Sequence, residues 1–597
     1  LKTALTSEKN TKDNQLSMFF DIKPYRFQQE ILDKLEAERT NHNRFKNLVV
    51  AATGTGKTVI AAFDFKNHKL NKRHSRLLFV AHREEILKQS RDVFRSILRD
   101  HNFGELWVGK YKPAHLENLF ISIQTLQSQK LWETLDPDFY DYIVIDEFHH
   151  AAAPSYQKLL SHFEPGVLLG LTATPERMDG QDVTRYFDNR ICAEIRLPDA
   201  INRKLLSPFQ YFCITDSVDY SQLKWSRGGY DIAQLDNLIT GNDMRAQLVI
   251  SKMQHIILDV KQCRGLCFCV SQKHAYYMAR KLNESGIMAQ AITSETPDTQ
   301  RKEARNRLQN REVNFLCVVD IFNEGVDIPE IDTVVFLRPT ESLTIFLQQL
   351  GRGLRLCDGK ENLTVLDFVG HAHNRFNYEV RFRSLLGRSR NRVEDEIENA
   401  FPSLPSGCVI EMEKEAQRHV LENIKQALSR VNKNQLVQRI ATFESETGIP
   451  LSLDNFINHH QLEIDNIYKK ESWSRLCALA RLKPDFSDPD EQILSKGLRR
   501  FAHNNSVRGL KSLLEMIRLD INDSNLSLLN LESQRLLTMF LFSAWNNQPP
   551  ESSLMNNLNR LKQNRTLIQE VHELIPTLIN QSDILTQQPE LPFPCPL

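Results

Sequence analysis

The 597-residue chain lacks net charge: lysine plus arginine and aspartate plus glutamate balance at 75 each. Any grip on a polyanion must therefore come from local patches rather than from the whole protein's field. No apolar run comes near the roughly 18–20 residues that a membrane span needs, which excludes a membrane partner of that kind. The polar, mixed-charge opening LKTALTSEKNTKDNQ has no secretory pattern, so the expected location is cytoplasmic. Cysteine is sparse, ten in all, and suits a reducing compartment. Cys263, Cys267 and Cys269 fall within a strand-like run, and no second Cys/His pair follows at zinc spacing. No internal repeat of about 20–50 residues is readable, which argues against a solenoid. With 41% hydrophobic and 25% charged residues the chain reads as globular, and its length predicts three to four domains. It opens on Leu1 rather than Met, and the expectation is a piece of a longer protein.

Against these absences, NLVVAA (47–52) is a short β-rich run followed at once by TGTGKT and VIAAFDF. Strand, glycine loop and helix in that order form a phosphate cradle. Backbone N–H groups from Thr53, Gly54, Thr55 and Gly56 can wrap a phosphate, because the two glycines leave no side chain in the way. Lys57 then reaches the β- and γ-phosphates of ATP, and Thr58 offers a hydroxyl to Mg²⁺. Ala51 stands where the strict pattern has glycine. In DYIVIDEFHH (141–150) a buried strand delivers Asp146 and Glu147 at its carboxyl end, where open α/β sheets place their sites. Asp146 suits Mg²⁺, a hard cation, and Glu147 suits the base that aims a water at the γ-phosphorus.

QQLGRGLRL (348–356) holds Arg352 and Arg355 three apart, a spacing that puts both on one face of a helix. Taken with LGLTATP (169–175) and DIFNEGVDIP (320–329), the order of these pieces resembles the superfamily 2 helicases over residues 22–370. PYRFQQE places Gln28 at the family's adenine-reading glutamine, and VAHREEIL and ISIQTL match its motifs Ia and Ib/Ic. DEFHH with QQLGRGLR looks like the Res subunits of restriction enzymes, and more narrowly like prokaryotic motors that accompany phospholipase-D-type nucleases. The resemblance implies two tandem RecA-like lobes, ATP hydrolysis where they meet, and Arg352 and Arg355 as arginine fingers. It further implies coupling roles for Thr172 and Thr174, nucleotide contacts from Gly325 and Asp327, and nucleic-acid contacts from Arg83, Gln124, Thr125 and Ser271. Val319 departs from the pattern, standing where many relatives have a threonine that touches the nucleic-acid backbone. His149 and His150 are expected as relays or packed side chains.

The α/β fold predicted from these runs has strands near 47–51, 77–81, 119–123, 142–146 and 167–171, then 266–270, 315–319, 333–337 and 363–368. The expected domains are a linker or truncated segment at 1–21, an ATP-binding lobe at 22–205, a second lobe at 206–385 and a mostly α-helical accessory domain, truncated or not, at 386–597. Segment 217–243 reads as a loop. Residues 371–392 carry six arginines with Phe376, Tyr378 and Phe382 interleaved, either a backbone-tracking strip or a solvated basic face. The expected function is an ATP-dependent translocase or helicase on nucleic acid, duplex DNA first, serving a restriction or anti-phage complex. An RNA helicase and an ATP-gated DNA clamp are the alternatives. A phospholipase-D-type nuclease needs a histidine with lysine two positions on, and none of the 18 histidines has one. Cleavage is therefore expected from such a module in cis or in trans.

Overall fold

A parallel sheet covered on both faces selects continuous apolar runs, and the five runs of the first lobe all become strands. The computed structural model describes residues 22–174, 183–188, 190–226, 229–319, 328–387, 389, 391–428, 433–460, 462–504, 506–518, 529–545 and 548–586. The first sheet comprises β1 Lys46–Ala51, β2 Leu77–Ala81, β3 Glu105–Trp107, β4 Asn118–Ser122, β5 Tyr142–Ile145, β6 Val167–Thr172 and β7 Ala193–Ile195. Its order is β3-β4-β2-β5-β6-β1-β7, with every pairing parallel. All carboxyl ends thus lie along one edge. The two outermost strands, β3 and β7, are three residues each and were not anticipated.

In this lobe four elements are tied by a buried charge. Arg39, on the helix Arg26–His42, makes two 2.7 Å hydrogen bonds to Asp64 of the helix Lys57–Asn71. The Tyr142 hydroxyl of β5 donates to the same carboxylate, and Asn47 of β1 accepts from Arg39 Nε at 2.9 Å. Asp64→Ala would strand a guanidinium that is only 12% exposed. The expected cost is about 3–5 kcal/mol, read as a lower denaturation midpoint for the first lobe.

The chain divides into two compact units, one built on this sheet up to Arg196 and the other running from Leu197 onward. In the second, β8 Phe209–Asp219, β11 Gly265–Phe268, β12 Ala289–Ile292, β13 Phe315–Val318, β14 Thr333–Phe336, β15 Leu363–His371 and β16 Val409–Met412 form another seven-stranded sheet. The order is β12-β13-β11-β14-β15-β8-β16, again all parallel. Strand β16 lies beyond residue 386, inside the stretch expected to be helical, yet it pairs with β8. Cys267, Cys269 and Cys317 are packed in this unit's apolar core, and among the described residues no cluster of three or more His/Cys/Asp/Glu is placed to hold a metal.

Segment 217–243 is not a loop. β8 runs to Asp219, β9 Trp225–Ser226 and β10 Gly229–Tyr230 pair antiparallel, and a helix follows at Ile232–Ile239. Asp231 caps that helix by accepting from Gln234 N, and Leu235 and Ile239 bury its inner stripe.

The basic–aromatic segment 371–392 also differs from a polyanion-tracking strip. Phe376, Tyr378 and Phe382 are buried, so their faces are not open to bases. Arg381 is buried as well, 3.0 Å from Asp367, and packs over the Phe346 ring at 4.1 Å. Core packing took the aromatics, and an acid from β15 took one of the arginines.

The stripe Ala416, Val420 and Ile424 is fully buried on the helix Lys414–Leu428. From Lys433–Thr447 through Arg565–Thr586 the described elements are helices around a core of their own, which includes Phe443, Trp473, Leu498, Phe540 and Leu574. Among the described residues no helix is long and apolar enough to cross a membrane.

Candidate functional site

The turn after β1 shows why two glycines stand where they do. Gly54 and Gly56 have φ of 94° and 85°, the left-handed region that other residues enter only with strain. A Cβ on Gly56 would lie 2.8 Å from the Gln28 amide nitrogen. That nitrogen donates to Thr55 O at 3.3 Å, while Gln28 Oε1 accepts from Tyr25 N at 3.0 Å. Gln28, 3% exposed, therefore braces the loop directly. Thr55 Oγ1 closes the turn on Ala52 O at 2.7 Å, and Lys57 Nζ bonds Ala51 O at 3.2 Å. Thr58 is the second residue of the helix Lys57–Asn71. Thr53 Oγ1 is buried without a hydrogen-bond partner, as expected of a cradle shaped for an anion.

β5 brings its acids to the same edge. Asp146 N donates to Val80 O of β2 at 2.9 Å, and Asp146 Oδ1 accepts from Glu147 N at 3.0 Å. Glu147 sits at φ 51° and ψ 53°, a backbone conformation that turns it away from the line of the strand. Burial alone would raise its carboxyl. The Lys57 charge, with the hydrogen bond and charge of His149, outweighs this and holds it well below the usual carboxylate range. His149 Nδ1 lies 3.3 Å from Glu147 Oε2 and 3.3 Å from Thr172 Oγ1. Thr172 Oγ1 in turn donates to Thr174 O at 2.9 Å and accepts from Thr174 N at 3.2 Å. The structure thus brings Gln28, the phosphate loop, Lys57, Glu147, His149, Thr172 and Thr174 into one linked set. The residues fit a nucleoside triphosphate, and Thr58 and Asp146 are the oxygen-bearing side chains that could meet its divalent cation.

The remaining candidates are spread over separate elements. Arg83 stands at the N-cap position of the helix Glu84–Leu98, without a capping hydrogen bond from its side chain. Gln124 and Thr125 lie in the helix Ile123–Gln129, where Thr125 Oγ1 is 2.7 Å from Ser122 Oγ and Gln124 is exposed. In the second unit, Ser271 caps the helix Gln272–Glu284, and its hydroxyl donates to Asp236 of the helix Ile232–Ile239. That acid was not singled out from the sequence, because the pairing is 35 residues apart and has no motif. Val319 packs against the second lobe's apolar core. Gly325 and Asp327 lie outside the described residues.

Arg352 and Arg355 do not share a helical face. The helix Leu343–Gly353 ends with Leu354 as its C-cap, so Arg352 is in the last turn and Arg355 follows the helix. Arg352 is 7% exposed, whereas Arg355 is half-buried. Gln349 Oε1 on the same helix accepts from Thr340 Oγ1 at 3.3 Å.

Comparison with known proteins agrees with this architecture. Residues 21–177 match the family "Type III restriction enzyme, res subunit", and residues 249–357 match "Helicase conserved C-terminal domain". The Saccharomyces cerevisiae protein "Putative ATP-dependent helicase IRC3" is 27% identical over 54% of this chain and 48% of its own length. A 51.5 kDa protein of Lactococcus phage (isolate 7-9) is 28% identical over 55% of this chain and 66% of its own. The Escherichia coli "Type I restriction enzyme EcoAI endonuclease subunit" is 26% identical over 58% of this chain and 46% of its own. The chain thus spans less than two thirds of each of these relatives. With both domain types matched in order, the chain carries the domains of the superfamily 2 helicases of the restriction Res type, a class of ATP-hydrolysing enzymes.

Proposed function

We propose that the chain is an ATP-driven motor that moves along duplex DNA for a restriction or defence complex. The observation that carries this reading is the linked set at the first sheet's edge, which joins a phosphate cradle to an ionised carboxylate and onward to Thr172 and Thr174. Lys57 would draw the β- and γ-phosphates into the loop. Thr58 and Asp146 would hold Mg²⁺, which supplies charge neutralisation on those phosphates when bound. Glu147, kept ionised by Lys57 and His149, takes the proton of the attacking water. A shift of the Glu147 carboxylate as charge leaves the γ-phosphate would reach Thr172 through His149, a short path from chemistry to backbone. Arg352 and Arg355 of the second lobe supply positive charge in the transition state. Gln28 reads the adenine, and Gly325 and Asp327 complete the nucleotide contacts. Arg83, Gln124, Thr125 and Ser271 contact the nucleic-acid backbone.

The restriction assignment is supported by the likeness to the EcoAI endonuclease subunit. Cleavage in such a complex would come from a phospholipase-D-type module in cis or in trans. The direct test is ATP turnover by the purified chain with no polymer, duplex DNA, single-stranded DNA and RNA, at one stated salt concentration. Duplex DNA is expected to stimulate turnover most, and the protein to displace a triplex-forming oligonucleotide with little unwinding of a blunt duplex. Stimulation by RNA alone, with unwinding of RNA duplexes, would favour an RNA helicase. A single closure on DNA without triplex displacement would favour an ATP-gated clamp.

A further inference from the structure

We propose that Lys360 is a positioning residue that fixes the arginine pair through the main chain, an inference that rests on the reading of Arg352 and Arg355 as transition-state groups. Lys360 Nζ donates to Gly353 O at 2.9 Å, Pro329 O at 3.0 Å and Ile331 O at 3.1 Å. An ammonium has three N–H groups and no acceptor, so these three carbonyls use its whole donor capacity. Gly353 closes the arginine helix, one residue after Arg352. Pro329 and Ile331 lie just beyond the segment that contains Gly325 and Asp327. One side chain therefore ties the end of the arginine helix to the chain that leaves the other nucleotide-contact motif.

The turn that presents this ammonium is itself built for the purpose. Lys360 N donates to Cys357 O at 3.1 Å, and Gly359 takes φ 76° to reverse the chain back toward the helix. The last carbonyls of a helix have no partner within it and must be met from outside. Here the next two are also held: Leu354 O accepts from Ser207 N at 2.7 Å, and Arg355 O accepts from Ser207 Oγ at 3.3 Å. Ser207 is 1% exposed. Three successive carbonyls, 353 to 355, are thus pinned by two residues, and both guanidinium stems spring from backbone fixed on each side. The ladder pairs of β15 with β14 and β8 do not include Lys360. A guanidinium that must meet a phosphoryl group gains its effect from placement, and an error of about 1 Å can cost about 10²-fold.

The test uses the full chain with the polymer that stimulates it most. Lys360→Met keeps the length of the side chain and removes all three hydrogen bonds. It is expected to lower kcat by about 10- to 100-fold while KM for ATP stays within about twofold. In the Arg352→Ala/Arg355→Ala background the same change is expected to cost nothing further, because it acts through those two residues. Lys360→Arg, which restores charge and some donors, is expected to recover part of the rate. A full-rate Lys360→Met, or an equal further loss on top of the double arginine variant, would overturn the proposal alone. A full-rate Arg352→Ala would overturn the arginine reading and the proposal with it. Should Lys360→Met fail to fold, Ser207→Ala and Lys360→Arg decide: a reduced kcat at unchanged KM in both supports the clamp, and wild-type kcat in both removes it.

Discussion

Arg352→Ala and Arg355→Ala are each expected to keep ATP binding within a few-fold of wild type while turnover falls by about 10³- to 10⁵-fold, the range measured for arginine fingers. The phosphate loop, Lys57 and Gln28 belong to the first lobe and are linked there without help from the arginine helix. The arginines belong to the second lobe and, as transition-state groups, would contribute where charge develops on the departing phosphoryl group, so their removal is expected to fall on kcat. Steady-state turnover paired with equilibrium binding of a slowly hydrolysed ATP analogue separates the two terms. A large rise in Kd with little change in kcat would instead mark the arginines as ground-state contacts. The two variants should not behave identically. Arg352 is held in a helical turn, whereas Arg355 follows the helix end and depends on the cap from Ser207.

Glu147→Gln is expected to bind ATP and Mg²⁺ yet lose turnover by about 10²- to 10⁴-fold, the usual worth of a positioned general base. The amide has the shape of the carboxylate and can still meet His149, while Thr58 and Asp146 are untouched. What disappears is the ability to accept a proton. Wild-type turnover in this variant would remove Glu147 from the chemistry. The environment adds a pH signature. Lys57 and His149 hold the Glu147 carboxyl below the ordinary range against the effect of burial, so it stays ionised through about pH 4–5, where exposed carboxylates protonate. Because folding depresses its pKa, its ionised form stabilises the fold above the ordinary carboxylate value, and that contribution is lost as pH falls further. An acid limb in kcat centred near pH 6 would therefore have to come from another group.

Much of the fold was legible because parallel sheets advertise themselves. Strands such as LLFVA and YIVI are buried on both faces and read as unbroken apolar runs. β3 and β12 were not legible: ELW is only three residues, and AQAI carries a polar residue in a partly exposed edge strand. β8 was hidden for a different reason. Its pattern alternates between buried and partly exposed positions, and its partner β15 lies about 150 residues further on. At the site, glycine and acid positions were readable because chemistry restricts them to few residue types. The end of the arginine helix was not, since spacing fixes a helical face only while the helix lasts. Nor could composition tell that Arg381 is spent on Asp367, or that Lys360 serves three carbonyls, a group that every residue carries.

Strand β16 has a practical consequence for dissecting the motor. β8 is eleven residues long and carries β15 on one side and β16 on the other. Cutting the chain near residue 385 would strip β16 away, together with the helix Lys414–Leu428 whose buried face holds Ala416, Val420 and Ile424. The exposed flank of β8 would then offer unpaired N–H and C=O groups to any neighbouring chain, the situation that drives edge-to-edge aggregation. A two-lobe fragment that ends at Leu428 keeps that flank closed.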